Sequence, residues 1–146
     1  MNQEIGSIMA YLYQLFRVKI YDLKLPQDFK VPSLYFPVPT SFSSNDTNQT
    51  YLKSYTLNVK LFHHDSKLAY YKAEELADHI ANNREVIPMV DVEGEKTGDY
   101  IRFNRIETRI GENGVAILIL NWDSRYHYHH DEAPAIQYVD ITSGVK

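Results

Sequence analysis

The chain predicts an α+β fold in which an antiparallel sheet carries two amphipathic helices. Three observations lead there. Within residues 51–63, Tyr51, Tyr55, Leu57, Val59 and Leu61 point one way, and Ser54, Thr56, Asn58 and Lys60 the other. That is the period of a strand with one buried face. Ile5, Ile8, Met9, Leu12, Leu15 and Phe16 recur instead at the spacing of a single helical stripe. Further on, Gly111-Glu112-Asn113-Gly114 separates two strand-like runs, a strong hairpin signal.

The elements follow in order. Residues 3–17 form the first helix, packed on the sheet, and Val18 and Ile20 favour a short extended piece. Residues 33–39 read as a strand, but Pro37 and Pro39 cannot donate ladder bonds, so it sits at an edge or breaks early. Residues 40–50 are small and polar and are expected to form a mobile loop. The long 51–63 strand then runs antiparallel to the 33–39 strand. Asp65 or Ser66 caps a second helix over 67–83 that buries Ala69, Ala73, Leu76, Ala77 and Ile80. Residues 86–92 make a short strand interrupted by Pro88, and 93–99 a turn. The hairpin joins 100–110 to 115–127. Residues 115–120 are apolar on both faces, as a central strand requires. One domain over 1–128 is expected, followed by a 129–146 extension that holds a further strand-like run at 136–141.

Composition narrows the function. At 146 residues the length suits one domain, and 44% hydrophobic residues suffice for a core. With no cysteine there is no disulfide framework, thiolate metal site or thiol nucleophile. The N-terminus lacks the pattern of a secretory signal, and no run approaches the roughly 20 apolar residues of a membrane span; a soluble protein is expected. A net charge of −4 gives no reason to expect strong phosphate binding. The twelve tyrosines suit strand faces, including faces that become interfaces.

Candidate chemistry is sparse. His63-His64-Asp65 and the group His127, His129, His130, Asp131 and Glu132 have the residue types for a divalent metal, and His127 and His129 share a strand face. A solvated strand end is the simpler account. Asp91, Glu93, Glu95 and Asp99 crowd one turn, but paired-carboxylate chemistry also needs a cleft and a second group. Arg102, Arg105 and Arg109, with Glu107 between them, fit cross-strand ion pairing on a wet face. Gly94-Glu95-Lys96-Thr97-Gly98 lacks the spacing and the helix of a phosphate loop. No catalytic residue, metal site or cofactor is predicted.

The order of elements carries a resemblance. The opening helix, Pro32-Ser33-Leu34-Tyr35-Phe36, the strand Ser54-Tyr55-Thr56-Leu57-Asn58-Val59, the helix around Ala73-Glu74-Glu75-Leu76-Ala77 and the closing pair around Asn113-Gly114-Val115 together resemble the tail terminator (tail completion) proteins of tailed bacteriophages. The likeness covers about residues 5–128. It implies an antiparallel sheet with both helices on one face. It also implies a non-enzymatic virion protein, typically a hexameric ring, that caps the tail tube and joins it to the head connector. The partners would be further copies of the chain, the tube protein and a neck protein, with DNA passing through the ring unbound and no membrane involved. The contacts expected on this reading are Ser33, Tyr35 and Val38 on the strand edge. Ser41, Phe42, Ser43, Asn45, Asp46 and Asn48 contribute from the polar loop, and Ile136 and Tyr138 from the extension. Rival readings are another neck or head-completion component, a metal-dependent hydrolase using His127, His129 and the acidic turn, and a small regulatory binding module.

Overall fold

The computed structural model describes residues 3–127. The elements are α1 (Gln3–Leu15), β1 (Lys19–Asp22), β2 (Ser33–Phe36), β3 (Thr40–Asn45), β4 (Thr50–Phe62), α2 (Ser66–Asn82), β5 (Val86–Val90), β6 (Lys96–Ile110) and β7 (Val115–His127). The strands form one sheet in the order β1-β2-β4-β7-β6-β5, with β3 on β4 beyond β2. The 136–141 run and the proposed 129–146 extension lie outside the described residues.

The strand with the clearest alternation organises the rest. β4 pairs with β7 over its whole length, from Thr50 opposite His127 to Phe62 opposite Val115, without a register shift. Tyr55, Leu57, Val59 and Leu61 therefore meet Trp122, Leu120, Leu118 and Ala116 on one face. All eight are buried, and one continuous core joins them to Ile5, Ile8 and Leu12 of α1 and to Ala69, Ala73, Leu76 and Ile80 of α2. The Trp122 indole stacks on Tyr55 at 5.4 Å between centroids and meets Phe103 edge-on at 6.0 Å. Both are favoured aromatic geometries.

Helix α2 starts where Asp65 accepts a hydrogen bond from the Leu68 amide at 2.8 Å, so Asp65 is the cap. Ser66 instead ties the helix to the far hairpin, its hydroxyl accepting from the Gly114 amide at 2.9 Å. Gly114 also lies against the end of β4, where its carbonyl accepts from the His63 amide at 2.8 Å. A Cβ there would stand 2.4 Å from the His63 carbonyl oxygen, and φ is +80°. Only glycine fits both conditions. Helix α1 is held to β5 through Ser7, which is buried. Its hydroxyl donates to the Gln3 carbonyl at 2.8 Å and accepts from the Val90 amide at 2.9 Å.

Several expectations are corrected. The sheet is mixed, because β1 runs parallel to β2. Parallel neighbours need a crossover, which the segment from Leu23 to Pro32 supplies. β2 is not an edge strand, having β1 on one side and β4 on the other; it ends early at Phe36, just before Pro37. The polar stretch is not a loop throughout: Thr40–Asn45 forms β3, in continuous register with β4 from Thr40 opposite Thr56 to Asn45 opposite Tyr51. The 93–99 turn is shorter than expected. β6 already begins at Lys96, and the register slips between Pro88 and Val90 opposite Gly98, whose φ of +95° suits a bulge.

Two substitutions probe this packing. Leu57→Ala is expected to cost about 2–5 kcal/mol in urea unfolding, the range for emptying a packed core site. Gly114→Ala is expected to lose more than about 1 kcal/mol through left-handed strain together with the His63 clash.

Candidate interaction surfaces

Three surfaces bring exposed groups from more than one element together. The first is the β3 margin and its turn. All six β3 residues are exposed, and Phe42 keeps 65% of its surface in water. Strand alternation puts Thr40, Phe42 and Ser44 on the outer side with Thr56, Ser54 and Leu52, and puts Ser41, Ser43 and Asn45 on the side of Tyr55 and Lys53. The turn beyond is tightly bonded. The Thr47 hydroxyl accepts from the amides of Gln49 (3.2 Å) and Thr50 (3.0 Å), and Thr50 donates its hydroxyl to Asp46 at 2.8 Å. The Arg125 Nε completes the arrangement, 2.5 Å from the same Asp46 oxygen. The Thr50 hydroxyl, and then the Arg125 guanidinium, hold the Asp46 carboxyl below its ordinary range.

The second surface is the outer face of the sheet, opposite the core. Across β6, β7 and β4 the rows read Arg105–Asn121–Thr56, Glu107–Ile119–Asn58 and Arg109–Ile117–Lys60. Ile117 and Ile119 are half-buried within this concave patch. Glu107 is clasped between Arg109 (2.5 Å) and Arg105 (3.0 Å). The expected ion pairing is thus present, but it runs along one strand and not between strands, because residues two apart share a face. The hydrogen bond from Arg109, reinforced by Arg105, keeps the Glu107 carboxyl below its usual range. Asn121 donates to the Tyr55 carbonyl at 2.8 Å.

A third surface is a groove where Gly6 and Ala10 of α1 face Val90 and Val92, the last fully exposed. The acidic turn beside it serves the backbone: Asp91 Oδ1 accepts from the amides of Glu93 (2.9 Å) and Glu95 (3.0 Å). His63 stacks on Phe16, and its Nδ1 accepts from the His64 amide. Among the described residues no three His, Cys, Asp or Glu side chains converge on a metal position. His129, His130, Asp131 and Glu132 lie outside those residues, as do Ile136 and Tyr138.

The predicted contact residues fall into two groups. Val38, 70% exposed, belongs with Ser41, Phe42, Ser43, Asn45 and Asn48 on one open margin, and Asp46 sits half-buried at its end. Tyr35 is half-buried and donates its hydroxyl to the Leu23 carbonyl at 3.2 Å. Ser33 is wholly buried, and its hydroxyl has no partner among the described residues; the register puts it with Phe62 and Tyr35, on the face opposite Leu34 and Leu61. The outer-face patch was missed by sequence reasoning. The double-sided apolar character of residues 115–120 was its signal, with Ile117 and Ile119 facing outward.

The chain belongs to the phage tail terminator protein family, whose match covers residues 5–135. It is similar to the phage-like element PBSX protein XkdJ of Bacillus subtilis (strain 168), with 51% identity over the full length of both chains. It is also similar to the uncharacterized protein YqbJ of the same strain, 48% identical over the full length of both. The family places the chain in a structural, tail-related role among other phage tail and head proteins. Among the described residues no helix is long and apolar enough to cross a membrane.

Two outcomes are expected. Asp46 has a depressed folded-state pKa, so its contribution is present above the ordinary aspartate value of about 4 and lost as pH falls through the lowered one. The gap in urea midpoint between the wild-type chain and Asp46→Asn is therefore open at pH 7 and closes in acid. Ser33→Ala removes a buried hydroxyl with no partner, so its thermal midpoint should equal or exceed that of the wild type.

Proposed function

We propose that this chain caps the end of a phage tail tube, halts its polymerisation and offers the surface to which the head connector joins. The observation that carries the reading is the family match over nearly the whole chain. Copies associate head-to-tail into a closed ring, for which six subunits is the working number. Such a closure requires two different patches on each subunit. The open margin from Val38 to Asn48 supplies one, with Tyr35 beside it and Ile136 and Tyr138 of the C-terminal segment contributing. One side of the ring binds the last tube ring, and the other lacks the tube's self-complementary surface, so growth stops there. DNA crosses the lumen without specific binding, and a net charge of −4 disfavours adhesion. The protein acts at the tail–head junction of the virion after synthesis in the host cytoplasm. The work needs faces and no reacting atoms. The full-length likeness to a protein of a phage-like element suggests the genetic setting in which to test it.

Deleting the gene from its phage or phage-like element should leave tails of uncontrolled length and heads without tails in electron micrographs. Particles of normal length, joined and filled, would overturn the reading. In the purified protein, Val38→Asp combined with Phe42→Asp should weaken ring formation in native mass spectra while shifting the unfolding midpoint little. Both side chains are already in water, so their replacement removes no core contact.

A further inference from the structure

A closed ring needs a second patch on each subunit, unlike the first and turned toward the other neighbour. The strand order puts β3, with the exposed Phe42, at one border of the sheet and β5 at the opposite border. Along β5 runs the groove in which Gly6 and Ala10 of α1 face Val90 and Val92. Its volume is about 600 Å³, its lining is mostly apolar, and Val92 is fully exposed. Gly6 adds an independent observation. Glycine inside a helix lowers its stability relative to alanine, yet a Cβ there would meet nothing within 4 Å. The chain's own packing therefore sets no requirement for glycine at this position. A side chain arriving from outside does, because it can then lie directly on the helix backbone.

Charge indicates what arrives. Residues 84–99, which hold β5 and its turn, carry five acidic and two basic side chains. Residues 17–45, which hold β1, β2 and β3 at the other border, carry four basic and two acidic ones. All of these but Asp91 are exposed. The two borders thus have charge excesses of opposite sign, and the chain is complementary to itself. We infer that the groove between α1 and β5 receives Phe42 from the next copy of the chain. The inference rests on the ring-forming reading and names the contact that reading requires. Phe42 points away from the helix layer, whereas the groove lies on the helix side of its sheet, so neighbouring subunits overlap at their borders as tiles do. The Phe42 ring covers Val90 and Val92 and rests on Gly6. Glu93 and Glu95, beside the groove, then come against the basic border, and this sets the direction of assembly because two like borders repel.

The absence of cysteine makes a clean test. Phe42→Cys and Val92→Cys are made singly and together in the full chain. Within one copy the two positions lie at opposite borders, separated by four interstrand spacings, about 19 Å. A disulfide needs Cα atoms within about 7 Å, so any bond formed joins two copies. An equimolar mixture of the single variants, oxidised at high protein concentration, should give the covalent heterodimer in excess over either homodimer. The double variant should give a ladder of covalent oligomers. Phe42→Cys mixed with Glu112→Cys, at the far hairpin, should give no heterodimer. Gly6→Leu, which fills the groove, and Val92→Asp, whose side chain is already in water, should each lower the ring fraction in native mass spectra at least tenfold. Their unfolding midpoints, and that of Gly6→Ala, should not fall below that of the wild type. Homodimers alone, no disulfide at all, or rings that survive both Gly6→Leu and Val92→Asp would overturn the inference. Normal joined particles after gene deletion would instead sink the capping function, so the two failures are told apart.

Discussion

The pairing of β4 with β7 is the constraint on which the rest of the structure depends. Thirteen successive pairs hold without a shift. A slip of β4 by one residue would turn Leu57 and Val59 to water and bring Asn58 and Lys60 inside. The core therefore has one admissible register. Gly114 fixes it from the hairpin end, where only a residue without a side chain can lie against His63. The helices are placed by the same ladder: Ser66, opening α2, bonds to Gly114, and the buried stripes of both helices complete the cluster around Trp122.

The outward surfaces follow from that register. Since the inward positions of β4 and β7 are spoken for, Ile117, Ile119 and Asn121 must face the other way, next to the arginines that clasp Glu107. The exposed ion pairs add little stability. Their effect is positional, keeping a carboxylate and two guanidinium groups in fixed places on an otherwise open sheet. The Asp46 arrangement does the same at the end of β3, holding the turn against Arg125 of β7. A surface with fixed side chains loses less freedom when a partner arrives.

Much of this was legible in the sequence wherever burial imposes a period. The stripes of both helices, the alternation of β4 and the hairpin turn were all visible in that way. β3 was not, because a strand exposed on both faces has no hydrophobic period, and Thr-Ser-Phe-Ser-Ser-Asn has the composition of a loop. Four residues of β1 are too few to reveal a parallel partner. The burial of Ser33 was equally hidden, since serine beside proline reads as surface. The open margin holding Val38 and Phe42 could be located from its prolines and polar residues. Its pairing with β4, which makes it an orderly edge, could not. The outward isoleucines were visible as apolar residues, but strand alternation alone does not say whether a second layer covers them.

One detail of the ladder has a mechanical meaning. On its side away from β7, β4 is bordered first by β3 and then by β2. Tyr35 lies opposite Lys60 and Thr40 opposite Thr56, leaving residues 57–59 facing the kinked Pro37-Val38-Pro39 segment. A pull applied at the 46–49 turn opens β3 from β4 pair by pair and then meets residues 37–39, which have no partner on β4 in the register, before β2 is loaded. The rim of the sheet can give way under tension while its middle keeps its shape.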